Sequence, residues 1–173
     1  MATINSIYSI NDWTDDSTYK KNDPTSISGY FRYSLLDHTV TAGGPFTGSK
    51  WGGLQVIDNQ WIPEFIWVPT YPVSVNQEPR VRNIQFGDGY SLRISDGLNN
   101  VLLKFDLEFN GKTYQEALAI SHFLYAREGR ESFVWVPPAP FSTRKYFICP
   151  QWSPVIQFHS NYSVKAMFQE VAI

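Results

Sequence analysis

Along most of the C-terminal two-thirds of the chain, apolar and polar residues alternate with a period of two. In "VLLKFDLEF", Val101, Leu103, Phe105, Leu107 and Phe109 fall on one face and Lys104, Asp106 and Glu108 on the other. That is the signature of an antiparallel strand with one side on a core and one in water. "YSVKAMFQ" repeats it with Tyr162, Val164, Ala166 and Phe168, and predicts the closing strand. Shorter apolar runs at Phe65–Val68, Tyr90–Ile94, Phe133–Val136 and Tyr146–Cys149 are further strand candidates. Only "TYQEALAISHFLYAREG" reads as a helix. Thr113 and Glu116 stand at capping-box spacing, Gly129 takes the position after the last turn, and Ala117, Ile120 and Leu124 form one stripe flanked by Tyr114, Leu118 and Tyr125. The pattern predicts a mainly β, antiparallel domain over residues 62–173, with one helix at Thr113–Glu128 packed across its sheet.

Residues 1–61 have a different texture. Gly, Ser, Thr and Pro are frequent and aromatics are irregularly spaced, which predicts a small loop-rich module with two or three short strands. About 60 residues is near the lower limit for an independent core, so this module is expected to lean on the larger domain or on a partner. Between the two, "WIPEFIWVPTYPVSVNQEP" carries Pro63, Pro69, Pro72 and Pro79 and predicts extended, edge-like chain.

Composition narrows the function classes. A net charge of -2, with neither half of the chain basic, offers no electrostatic case for nucleic acid or an anionic membrane. Cys149 is the single cysteine, so one chain builds neither a disulfide framework nor a thiolate metal cluster. No stretch approaches the ~20 apolar residues of a membrane span, and the start has no basic region before an apolar run. The expectation is a soluble protein made in a reducing compartment. Aromatic residues are abundant, at 16%, which suits strands and interfaces.

Candidate chemistry is sparse. "RVRNIQFGDGYSLRISDGLNN" holds two Asp-Gly corners. A phosphate cradle would need its glycines between a strand and a helix N-terminus. Here Gly87, Asp88 and Gly89 lie between two strand-like runs, so the corner predicts a chain reversal, with Gly89 or Gly97 at positive φ. His38, His122 and His159 lack metal-ligand spacing. Asp15 and Asp16 suit a turn or cap. A Cys149–His nucleophilic pair competes with a buried structural thiol, the commoner state of a lone cysteine. Glu108, Glu116, Glu128 and Glu131 fall on solvent faces or loops. No cofactor or metal is expected, and no catalytic residue. In "RESFVWVPP" the strand is apolar on both sides, Phe133 and Trp135 against Val134 and Val136. It is either a central core strand or a subunit interface.

The order and spacing of "PRVRNIQFGDGYSLR", "DGLNN", the single helix, "ESFVWVPP", "CPQW" and "FQEV" resemble the phage minor tail protein M family of lambda-type tails, over about Phe65–Ile173. The resemblance implies a β-sandwich or split barrel with a flanking helix, and a structural, non-enzymatic role in a virion assembled in a bacterial cytoplasm. It implies a ring of identical subunits, a homohexamer, between the last tail-tube ring and the tip or baseplate hub. Expected partners are further copies of the chain, the tube protein, the hub and the tape measure protein. Interface candidates are Phe86, Gly87, Asp88, Gly89 and Tyr90 of the hairpin, with Phe133, Trp135, Tyr162 and Phe168.

Residues 1–61 are an extension relative to that family. They resemble more weakly the chitin-binding-like modules of carbohydrate-binding family five/twelve, through Trp13, Tyr19 before "KKND", Gly29, Tyr30, Tyr33, Pro45 and Trp51. Such aromatics either stack on sugar rings from an exposed row or form the module's own core and dock it to a neighbour. Three functions therefore compete: a structural ring, a carbohydrate-binding adhesin, and a cell-wall hydrolase needing two close carboxylates or a Cys-His pair.

Overall fold

A computed structural model describes residues 18–27, 30–40, 50–57, 60–97, 99–158 and 161–172. In chain order the strands are β1 (Thr18–Tyr19), β2 (Pro24–Ile27), β3 (Tyr30–Ser34), β4 (His38–Thr39), β5 (Trp51–Gly52), β6 (Leu54–Ile57), β7 (Gln60–Pro63), β8 (Thr70–Gln77), β9 (Val81–Gln85) and β10 (Ser91–Ser95). They continue with β11 (Leu103–Lys112), the helix α1 (Tyr114–Arg127), β12 (Phe133–Trp135), β13 (Lys145–Phe158) and β14 (Asn161–Val171). The main sheet has the order β12-β13-β14-β11-β8, all antiparallel, and curls into a half barrel. With α1 across it, this is the expected split-barrel class.

Alternation decides which face of the sheet is dry. Leu103, Phe105, Leu107 and Phe109 of β11 and Val164, Ala166 and Phe168 of β14 are buried, while Val101 stands before the strand and is exposed. The interior is an aromatic lattice. Phe168 has ring centroids of Phe133, Phe65 and Trp135 at 4.9, 5.0 and 5.1 Å, all steeply inclined. Such edge-to-face pairs add about 0.5–1.5 kcal/mol each beyond burial.

Helix α1 starts where Thr113 Oγ1 accepts the Glu116 N–H at 3.3 Å, a cap worth about 1 kcal/mol. The reciprocal half of the capping box is not made. Glu116 accepts instead from Lys112 Nζ at 2.8 Å. The helix ends through Glu128 and Gly129, both at positive φ (50° and 70°), and a Cβ at 129 would meet the Cys149 carbonyl at 3.3 Å. Burial extends beyond the predicted stripe, to Ala119, His122 and Phe123 as well as Ala117, Ile120 and Leu124. Apolar residues nearly all round a helix mark one that is covered on two sides.

Two strand expectations change. Phe65–Val68 is not a strand: Phe65 and Trp67 point inward, but apart from the Glu64–Val134 bridge and the Phe65 N–H to Val134 bond at 2.9 Å the segment has no ladder. Pro63 and Pro69 bracket it and remove donors a ladder would use. The run at Tyr146–Cys149 belongs to a strand of 14 residues, β13, which passes Pro150 and Pro154 and shifts register twice against β14. Pro72 lies in β8, an edge strand, as its lack of an N–H requires. Among the described residues before Gln60 there are six short strands, against the two or three expected, and residue 61 lies in β7.

Candidate assembly surface

The two strands around the Asp-Gly corner form a separate ribbon. β9 and β10 pair antiparallel, Gln85 with Ser91, Ile84 with Leu92 and Arg82 with Ile94, and every residue in both strands is exposed. Gly87–Gly89 makes a tight 3-10 turn, with Asp88 at φ 64° and Gly89 at φ 82°, and the Phe86 N–H bonds the Tyr90 carbonyl at 2.8 Å. Gly97 is also left-handed, at φ 88°. The chain reversal predicted at the first corner is thus present, while at the second Gly97 has the expected positive φ but β10 leads on toward β11 alongside β9 and β8. At the base, the Arg80 N–H to Asn100 carbonyl (2.8 Å) and the Asp96 N–H to Arg80 carbonyl (2.9 Å) extend the ladder.

Directly paired residues of an antiparallel ribbon share a face. One face therefore carries Arg82, Ile84, Leu92 and Ile94, continued at the tip by Phe86 and Tyr90. The other carries Val81, Asn83, Gln85, Ser91, Arg93 and Ser95. Phe86 is 56% and Tyr90 76% exposed, and Ile84, Leu92 and Ile94 are also open to solvent. An isolated two-stranded hairpin with an uncovered apolar face is marginal in water, and such contiguous apolar surface marks an interaction site. A second apolar group lies where β13 turns into β14. Ile156 is 76% exposed, its register partner Tyr162 is half-buried, and the Tyr162 ring meets exposed Tyr114 at 5.7 Å.

The remaining interface candidates do not reach the surface. Phe133, Trp135 and Phe168 are buried in the chain's own core, so the doubly apolar "RESFVWVPP" strand is a core strand. On its second side Val134 is covered by the bridge to Glu64 and the bond from the Phe65 N–H, while Val136, just beyond the strand, is exposed.

The N-terminal aromatics are likewise turned inward. Tyr19, His38 and Trp51 form a cluster with centroids 4.9–5.7 Å apart, and Tyr19 and Trp51 are buried. Tyr33 is fully buried, lies 5.0 Å from the Trp67 ring, and its hydroxyl is 2.7 Å from His122 Nδ1. Trp67 Nε1 donates to Asn22 Oδ1 at 3.1 Å. Tyr33 thus docks the N-terminal strands onto the chain's own helix. Tyr19, Tyr33 and Trp51 cannot form an exposed row for sugar stacking. Trp13, Asp15, Asp16, Gly29, Pro45 and His159 lie outside the described residues, as does the Tyr30 side chain.

The candidate catalytic groups are structural. Burial pushes the Cys149 thiol up to about 12, and its Sγ donates to the Gln151 carbonyl at 3.2 Å. Such a thiol is protonated and unreactive. Burial, and then the Arg127 charge, push His122 down to about 4. Glu108, Glu116, Glu128 and Glu131 are each held by a separate cation, Lys165, Lys112, Arg130 and Arg127, at 2.8–3.1 Å. Among the described residues no group of three or more His, Cys, Asp or Glu is arranged to hold a metal, and no helix is long and apolar enough to cross a membrane.

Comparison with known proteins matches the sequence of this domain to a phage tail family. Residues 63–172, from the end of β7 to one residue past β14, match the family model described as phage minor tail protein. The chain is 35% identical to tail tip protein M of Escherichia phage lambda over 89 residues, 51% of this chain and 80% of the lambda protein. With the model covering well over half its length, the chain belongs to the phage minor tail protein family.

Proposed function

We propose that the chain forms a closed ring, a homohexamer, at the distal end of the tail tube, joining the tube to the tail tip or baseplate hub. Membership of a tail family makes it a virion component that meets other tail proteins. The observation that carries the finer reading is the uncovered apolar face of the 81–95 hairpin, Ile84, Phe86, Tyr90, Leu92 and Ile94. A projecting arm with one apolar side suits a heterologous contact, which closes into a ring when its rotation divides a full turn. Tube, hub and tape measure proteins are the neighbours such a ring would meet. The role is structural, without turnover, nucleic-acid specificity or membrane insertion. The N-terminal strands act as a fixed cover on α1.

The test is the solution mass of the full chain and of Ile84→Thr/Leu92→Thr. Both sites are exposed, so the variant keeps its fold. The parent should associate toward six copies, and the variant should weaken association by about tenfold or more. A parent that stays monomeric at every concentration contradicts the proposal.

A further inference from the structure

We infer that the hairpin of one copy seats its aromatic tip in an apolar groove of the next copy, so that the ring contact runs head to tail. This rests on the ring reading above and supplies the acceptor that reading leaves open. The groove, about 430 Å³, has a floor of buried Trp67 and Trp135 and a mouth of Val68, Tyr71 and Val136. Its size is within the ~300–1,000 Å³ of sites that enclose a small ligand or a few side chains.

The two halves of the contact are complementary and lie apart on one chain. Tyr71 stands at the beginning of β8 and Val68 just before it, whereas the hairpin leaves from its end after Gln77. Eight strand residues span roughly 25 Å, so a hairpin that continues the β8–β11 pair from that far end does not cover its own groove. The two aromatics of the tip bring ~150–250 Å² each, and Ile84, Leu92 and Ile94 carry the total toward the ~800 Å² per partner of a stable interface. Charge does not oppose the contact: Arg82 on the apolar face of the hairpin and Glu64 on the groove wall are each paired within the chain, to Asp96 at 3.5 Å and to Arg144 at 3.9 Å. The larger groove on the outer face of the main sheet, about 490 Å³, is walled by Asp106, Glu108 and Lys165 and offers an apolar tip a poorer seat.

Cysteines at Tyr90 and Val68 test this on the full chain. Both positions are exposed, and the buried Cys149 stays out of the reaction. Under mild oxidation, a mixture of Tyr90→Cys and Val68→Cys chains should give a heterodimer at least about tenfold above either variant alone, since seated thiols react as a held pair. The double variant should give a ladder of linked copies. Independently, Val136→Glu should leave the circular dichroism spectrum and thermal midpoint unchanged and weaken association by about tenfold or more. Rings that assemble without linking 90 to 68, or that link only 90 to 90, overturn the groove while the ring reading stands. A chain monomeric at all concentrations overturns both.

Discussion

His122 lies against Phe31 and Tyr33, with ring centroids at 5.0 and 5.9 Å, and its pKa is pushed from 6.5 to about 4 by burial and then by Arg127. The folded value is below the unfolded one, so between the two the unfolded chain holds the extra proton. Stability therefore falls as pH drops through about 6.5, and this loss is complete below about 4. At 1.36 kcal/mol per unit the whole effect is about 3 kcal/mol. Urea midpoints should decline from pH 7 to 5, and His122→Gln, whose amide can still meet Tyr33, should flatten that decline; equal slopes would contradict the assignment. Sequence showed only a histidine without metal spacing. Its partner Tyr33 is 89 residues away, and no local pattern couples them. Cys149 was more legible, because a lone thiol in an apolar run is usually core.

At the scale of elements, β11, β14, α1 and the Asp-Gly hairpin could be read from the chain because each has a local cause: strict alternation, a capping threonine, or a corner that tolerates positive φ. β13 and the Phe65–Val68 segment could not. Prolines hid the length of the first, and the second has the alternation of a strand without a neighbour to pair with. The hairpin gives a sharp prediction. Gly89 stands at φ 82° with nothing within 4 Å of an added Cβ, so Gly89→Val carries backbone strain of about 1 kcal/mol or more and no steric clash. The ribbon packs little on the main sheet, so the thermal midpoint should hardly move. Hydrogen exchange should quicken at residues 81–95 alone, and association should weaken. A normal ring from this variant would mean that the corner is not constrained as described.

At the scale of the molecule, balanced charge and abundant aromatics were informative, and the resemblance over Phe65–Ile173 anticipated the family. What composition and texture concealed was the direction of the N-terminal aromatics, because an aromatic that packs on a helix and one that faces a sugar look alike in sequence. Tyr33 sits in the core cluster with Trp67 and Phe123, so Tyr33→Ala should cost about 3 kcal/mol or more and lower the midpoint of one cooperative transition by several degrees. An unchanged main transition, with the N-terminal strands melting separately, would contradict that docking. The ring itself is open to direct observation in intact tails by electron cryo-microscopy. Six copies of this fold should appear at the distal end of the tube, with each 81–95 hairpin on a neighbouring copy. A tail without the protein there, or a single copy on a fibre tip, would contradict the ring.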